Sequence, residues 1–278
     1  PLLAALVQLG VLTQADADRI ARQLSPALQR QYAEATLVDA MTRALGAQRR
    51  RIISVVDAAN GRPTARQLSL FWRGEDVALW GDVQETIQGI ALESAVTVAI
   101  RNGSSTWDLI NQNVIDWTTN YYTSEAPAMV GSIPNLNQTS RQQFADVFLQ
   151  WQQGTLETVG SKEGLPQLAQ ALEPVFGRAR AERIGVTENT RIFAEASVAA
   201  ARADEFAEYL EYYSSQDELV CPLCGPCAGQ VIPKNASGFI HPEEGNVGFP
   251  PLHTNCRCWV ESTTSAVIAA TGQEVTRE

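Results

Sequence analysis

A mainly α protein ending in a small zinc-binding irregular/β module is the fold class this sequence predicts, on three observations. Apolar residues recur at helical spacing through most of the chain before Tyr213, and all five cysteines fall between Cys221 and Cys258. Around those cysteines the texture changes to short pieces rich in glycine and proline. With 45% hydrophobic and 19% charged residues over 278 positions, the composition is that of one large or two modest folded domains, not of a disordered chain. The balance of 21 basic against 31 acidic residues gives a net charge of −10, a field that repels phosphate backbones at long range. Nucleic-acid binding by the whole surface is thereby disfavoured. Arg49, Arg50 and Arg51, with Arg62 and Arg66 beyond them, form a local exception that reads either as a solvated face or as a contact to nucleic acid or an acidic partner. No apolar run approaches the roughly 20 residues that cross a bilayer. Pro1 to Leu12 lacks a basic leader and a small-residue cleavage site, and reads as a buried helix or docking segment.

The helices follow in order. Ser25 before Pro26 is an N-cap with proline at the first helical position, and Leu28, Tyr32, Leu37, Met41 and Leu45 continue at helical steps. Asn60-Gly61-Arg62-Pro63 makes a turn. From about Val77 to Ile100 a second helix buries Trp80, Val83, Ile87 and Ile90, ending at Asn102-Gly103. Tyr121 to Gln138, with two prolines and Gly131, reads as a long loop and a candidate domain boundary. Ser140 and Gln143 make a capping box, after which Phe144, Val147, Phe148 and Trp151 form a core stripe that Gly154 stops. A last long helix is expected from Thr187 as its cap to Tyr213. Its seam of Ile192, Ala196, Ala199, Ala203, Phe206 and Leu210 suits a helical hairpin within the subunit better than an oligomeric coiled coil.

The cysteine segment carries the strongest chemical signal. Cys221-Pro-Leu-Cys224 is a knuckle that presents two thiolates to one tetrahedral ion, and His253 with Cys256 offers a second pair about thirty residues later. Soft and borderline ligands favour zinc. A segment with so little expected apolar core would draw its folding free energy from the metal. The first choice of ligands is Cys221, Cys224, His253 and Cys256, with Cys258 the substitute in the second pair. Cys227 reads as a bystander able to exchange with Cys224, and His241 as a surface-loop histidine. Free buried cysteines and a disulfide are the competing readings. One structural zinc is the expected cofactor, and no catalytic residue is assigned. His241-Pro242-Glu243 superficially matches a zinc-deaminase signature, but it follows the cysteines where it should precede them, and Val220 stands where a proline belongs. Between Asp217 and Glu261 the acidic residues outnumber the basic ones, which disfavours nucleic-acid reading by the module.

Arg183-Ile-Gly-Val-Thr187-Glu188-Asn-Thr-Arg191, an alanine-rich helix, Asp217-Glu-Leu-Val-Cys221-Pro-Leu-Cys224, Gly229-Gln-Val and Pro250-Pro-Leu-His253-Thr-Asn-Cys256-Arg-Cys258 follow one another in this chain. This arrangement resembles the C-terminal domain of phage Mu F-like head morphogenesis (minor capsid) proteins, over roughly residues 140 to 261. The resemblance implies a non-enzymatic virion component inside the capsid near the portal, present in host cytoplasm during assembly. Its implied partners are the portal protein, the major capsid protein, or both; packaged DNA is a further candidate partner, through the local basic run of Arg49, Arg50 and Arg51. It also implies metal binding at Cys221, Cys224, His253, Cys256 and Cys258. Thr187, Glu188 and Arg191 are explained by an N-cap and a local ion pair. The expected organisation is a helical N-terminal region (1–139), a helical part of the Mu F-like domain (140–216), the zinc module (217–262) and a tail (263–278). The alternatives are a zinc-dependent hydrolase or deaminase-like enzyme and a generic zinc-stabilised interaction protein.

Overall fold

The computed structural model describes Thr13 and residues 26–102, 107–126, 129–154, 164–214 and 221–276. The expected cap at Ser25 and the Pro1 to Leu12 segment lie outside these residues. The chain is mainly helical with a small C-terminal strand region. Its helices are α1 (Pro26–Ala58), α2 (Ala65–Asn102), α3 (Trp107–Thr123), α4 (Ile133–Gly154), α5 (Gly164–Ala171), α6 (Glu173–Phe176) and α7 (Arg178–Ala203). There follow β1 (Tyr209–Tyr213), a 3₁₀ turn (Gly225–Cys227), β2 (Val231–Pro233), β3 (Phe239–His241), β4 (Gly245–Gly248), β5 (Trp259–Thr263) and α8 (Ser265–Thr271). Two compact units interleave along the sequence: one comprises 1–36, 89–115 and 187–278, the other 37–88 and 116–186. Residues 139 and 140, where the sequence reading divides the chain, are consecutive positions of α4.

The second unit is a helical core. Leu37, Met41, Leu45, Ile52 and Val56 from α1 are buried, with Leu79, Val83 and Ile87 from α2 and Phe144, Phe148 and Trp151 from α4. Successive members of each set are three, four or seven residues apart, as one buried helix face requires. The expected seam on α1 shifts at its start, where Leu28 and Tyr32 are exposed and Gln29 and Ala33 are buried instead. Asn60 and Gly61, both at positive φ, make the turn after α1. The next helix starts at Ala65 and not Val77, because Thr64 and Gln67 form a reciprocal capping box: Gln67 N donates to Thr64 Oγ1 at 3.2 Å and Thr64 N to Gln67 Oε1 at 2.8 Å.

Three further expectations are corrected. The long loop over 121–138 shrinks to the segment between Thr123 and Ile133, because Pro134 sits in the first turn of α4, where its missing N–H costs nothing. Ser140 is no cap: it lies in the interior of α4, donates to Leu136 O and accepts from the buried Arg180 Nη1 at 2.8 Å. Arg180 also donates to Val175 O and Leu136 O, so a guanidinium surrounded by neutral acceptors ties α4, α6 and α7 together. Burial first, and then Arg183, lowers its pKa to about 10. The last long helix, finally, runs from Arg178 to Ala203, and Thr187 is in its interior. Leu210 and Tyr213 belong to β1, where Tyr-Leu-Glu-Tyr-Tyr alternates with period two, while Phe206 is exposed between the two elements.

Within the second unit α7 and α1 meet at Gly185. A Cβ there would stand 2.7 Å from Val38 Cγ2, 3.0 Å from its Cα and 3.1 Å from its N. Alanine would gain about 1 kcal/mol of helix propensity, but overpacking against backbone typically costs about 1–3 kcal/mol. Gly185→Ala is therefore expected to lower the urea midpoint with an unchanged slope; a raised midpoint would show that the two helices do not pack this closely.

Candidate metal centre

The sheet topology brings the cysteine turns together. Strands β2 and β5 flank β1 and both run antiparallel to it, Glu211 facing Val231 on one side and Glu261 on the other. Both neighbours therefore enter the sheet at the C-terminal end of β1. The chain just before β2 carries Cys221, Cys224 and Cys227; the chain just before β5 carries His253, Cys256 and Cys258. Antiparallel pairing alone makes these two segments meet.

Each segment is a tight, internally bonded turn. Cys224 N and Gly225 N both donate to Cys221 O, at 3.1 and 3.0 Å, the folding of a two-thiolate knuckle. In the second turn Asn255 adopts φ 62°, a left-handed conformation that asparagine tolerates. Helix α7 anchors this turn: Thr187 Oγ1 accepts from Asn255 N at 2.9 Å, and Thr190 Oγ1 donates to Cys256 O. The first part of α1 anchors it again, with Arg30 Nη2 donating to Arg257 O at 2.6 Å and Arg257 pairing with both oxygens of Glu34 at 3.2 Å. Arg30 also lies over the Trp259 ring at 4.4 Å.

Five donor atoms converge as two overlapping triads that share Cys224. The first is Cys221, Cys224 and His253; the second is Cys224, Cys256 and Cys258, with the donor atoms of each triad within 4.8 Å of one another. The Cys224 and Cys256 sulfurs are 3.8 Å apart. Two thiolates on one tetrahedral zinc at about 2.3 Å would be separated by about 3.8 Å. The cluster is thus geometrically compatible with a metal ion such as zinc. His253 Nδ1 donates to Thr254 O at 2.7 Å, which leaves Nε2 with the lone pair that a metal takes.

The electrostatics hold these thiols neutral as long as no positive charge stands between them. Hydrogen bonds with Cys256 and Cys258, then burial, push the Cys224 thiol far above the ordinary range. The Cys224 hydrogen bond lowers Cys256, but Cys258 and burial together carry it up to about 11. These thiols resist ionising together because nothing between them offsets the charge, and a divalent ion at their centre reverses that balance. Two surrounding groups suit the ionised state. The Arg30 guanidinium feels Cys258 and Cys256 although burial opposes its charge. The Tyr212 hydroxyl, without a hydrogen bond of good geometry, is raised by burial first and then by the adjacent Cys224 and Cys258 thiols.

Cys227 belongs to neither triad; it is fully buried, with Sγ 3.7 Å from Leu223 O. His241 belongs to neither triad as well, but the surface-loop expectation is corrected. It is 6% exposed, and its Nδ1 accepts from Glu243 N and Glu244 N at 3.2 Å, which fixes the turn between β3 and β4. The expectation of a poor apolar core is corrected too. Ala194, Val198 and Ala201 of α7 pack with Leu210, Tyr212, Ile232, Phe239 and Val260 around Cys224, Cys227, Cys256 and Cys258. Glu188 and Arg191 form the expected local ion pair at 3.2 Å. Arg30, Glu34 and Tyr212 carried no sequence signal, since all three act from outside the motif. Arg49 is paired with Glu173, and Arg51 with Glu75 at 2.7 Å and Asp82 at 3.4 Å.

Compared with known proteins, the chain matches no family model, no curated protein and no solved structure.

Because Cys224 is common to both triads, Cys224→Ser is expected to abolish retention of a divalent metal, read by elemental mass spectrometry of the purified chain. It should also make the chain after about residue 217 protease-sensitive while the helices persist by circular dichroism. Full retention of metal would exclude Cys224 as a ligand. Tyr212→Phe, which removes only the hydroxyl beside the thiolates, is expected to weaken metal affinity by roughly 10–100-fold in a competition titration with a chelator; an unchanged affinity would exclude the hydroxyl from support of the site.

Proposed function

We propose that this chain is a structural component of a phage head, a minor capsid protein that acts through protein contacts and is held in shape at its C-terminal end by one structural zinc. Four of Cys221, Cys224, His253, Cys256 and Cys258 would hold the ion, with Cys224 in every set. The observation that carries the reading is the meeting of the family-like segments in one place. Thr187 and Thr190 of the Arg183–Arg191 segment hydrogen-bond directly to the His-Thr-Asn-Cys-Arg-Cys turn, and that turn shares a sulfur cluster with the Cys-Pro-Leu-Cys knuckle.

The donor set supports a structural ion over a catalytic one. Four of the five donors are thiols, and Cys224, Cys256 and Cys258 are buried while Cys221 and His253 are half-buried, a thiol-rich set closer to closed structural sites than to a catalytic zinc, which keeps a position open to water and substrate. No helix among the described residues is long and apolar enough to cross a membrane, consistent with a component of a particle. The ion pairs of Arg49 and Arg51 weaken the case for DNA contact through the basic run, and protein partners such as the portal or major capsid protein are preferred.

The test is fractionation. Particles purified from cells expressing the surrounding phage genes should contain this chain, in far fewer copies than the coat protein, by quantitative peptide mass spectrometry of assembled heads. Its absence from both empty and DNA-filled heads would overturn the assignment.

A further inference from the structure

On the first unit, away from the sulfur cluster, a cleft of about 430 Å³ opens beside β1 and β5. Its size falls at the lower end of small-ligand pockets, roughly 300–1,000 Å³. Asp204, Glu211 and Glu261 line it, and no basic residue does. Strand alternation places these groups. In β1 Glu211 and Tyr213 line the cleft while Leu210 and Tyr212 join the cysteine core, as period two requires; in β5 Glu261, Ser262 and Thr263 line the cleft and Val260 joins the core.

Two features of this cleft are costly without a ligand. Glu211 and Glu261 are directly paired across the strands; Glu211 accepts from Tyr213 Oη at 2.7 Å and Gln273 Nε2 at 2.6 Å and Glu261 from Trp259 Nε1 at 3.0 Å, neutral donors that leave two like charges opposed in a sheet. Beside them, Asp204 is 2% and Thr263 8% exposed, yet Asp204 Oδ2 and Thr263 Oγ1 have no hydrogen-bond partner among the described residues. Buried polar atoms left alone in this way are rare in folded proteins. Asp204 is also the residue after the last turn of α7, where the helix dipole adds negative potential. Of the neighbouring cations, Arg30 feels the Glu261 charge from its place over Trp259, while Lys234 Nζ donates to the Asp204 carbonyl at 2.6 Å and Arg202 to Lys234 O and Ala236 O.

We infer that this cleft binds a guanidinium group carried on an aliphatic stem, the chemistry of an arginine side chain. A bare divalent ion fits less well, since the groups of described residues able to hold one are the two cysteine triads and include no carboxylate of the cleft. A planar fork of five donors matches acceptors spread over Asp204, Thr263 and the glutamates better than a point charge does. The stem and the flat cationic face find Phe206, 59% exposed, together with Tyr213 and Val267 on the same wall. The inference does not depend on the proposed role in a phage head.

The test is calorimetric titration of the full chain with agmatine, with the peptide acetyl-Ala-Arg-Ala-amide, and with the same peptide carrying citrulline, a neutral isostere, in place of arginine. Saturable 1:1 binding of agmatine or of the arginine peptide is expected. Binding of the peptide tighter than agmatine identifies a partner protein as the source; agmatine alone identifies a free alkylguanidine. Glu261→Gln keeps the acceptor that Trp259 Nε1 uses, and Asp204→Asn keeps the acceptor that Phe206 N uses. Each is expected to weaken binding at least tenfold while circular dichroism stays unchanged. Equal affinity for the citrulline peptide, equal affinity for butylamine, or no saturable binding of either guanidinium probe by the folded wild type overturns the inference.

Discussion

Everything in the C-terminal part turns on the crowding of the Cys224, Cys256 and Cys258 sulfurs beside β1. Free thiols buried this close are stable either all protonated, as small apolar groups, or ionised around a cation. The surroundings are compatible with the second way. Burial opposes the charge of Arg30, which is held over Trp259 and against the Arg257 carbonyl, and Cys258, Glu34, Cys256 and Glu261 counter that penalty. Beside ionised thiols and a divalent ion, Arg30 reduces the excess negative charge of the centre.

The same cluster explains why α7 is so rich in alanine. The seam read from the sequence calls for another helix against it, because small residues at steps of three and four commonly permit close helix packing. The cysteine module covers a different face of the helix from that seam, the one formed by Ala194, Val198 and Ala201, and Ala199 and Ala203 of the seam stay half-buried. Small side chains let strand backbone and sulfur approach the helix, and Thr187 and Thr190, one turn apart on it, reach the backbone of the second cysteine turn. The periodicity of a helix reports that one face is buried, and the identity of the covering element is a tertiary fact that the pattern does not carry.

Legibility in the sequence follows that distinction. The helical character, the turn at Asn60-Gly61 and the core stripe of Phe144, Phe148 and Trp151 are local, and the structure has them; the expected stop at Asn102-Gly103 runs into residues outside the described ones. The cysteine cluster was legible from spacing because ligand pairs sit in tight turns that sequence encodes directly. The misreadings have the same physical root. Ser140 and Thr187 look like caps because cap preference depends on side-chain type, yet both hydroxyls serve long-range partners, Arg180 and Asn255. The Leu210 to Tyr213 stretch was taken into a helix because spacings of three and four can be drawn through an alternating strand, and Asp204 breaks the helix first by turning its Oδ1 back to Phe206 N. Thr64 and Gln67 show the reverse case: the capping box was written in the sequence and outweighs the weaker apolar signal that suggested a start at Val77.

Strand β1 is where these constraints combine. Its even-numbered residues Leu210 and Tyr212 face the sulfur core, and its odd-numbered Glu211 and Tyr213 line the acidic cleft. A shift of register by one residue would exchange the two faces, placing a carboxylate among the thiols and an apolar side chain in the cleft. Neither site tolerates that exchange, so both specify the same pairing of β1 with β5. An ion held by the turns preceding β2 and β5 would fix the ends of those strands and the register with them. The geometry of the cleft, including the direct opposition of Glu211 and Glu261, then follows from chemistry on the opposite face of the sheet.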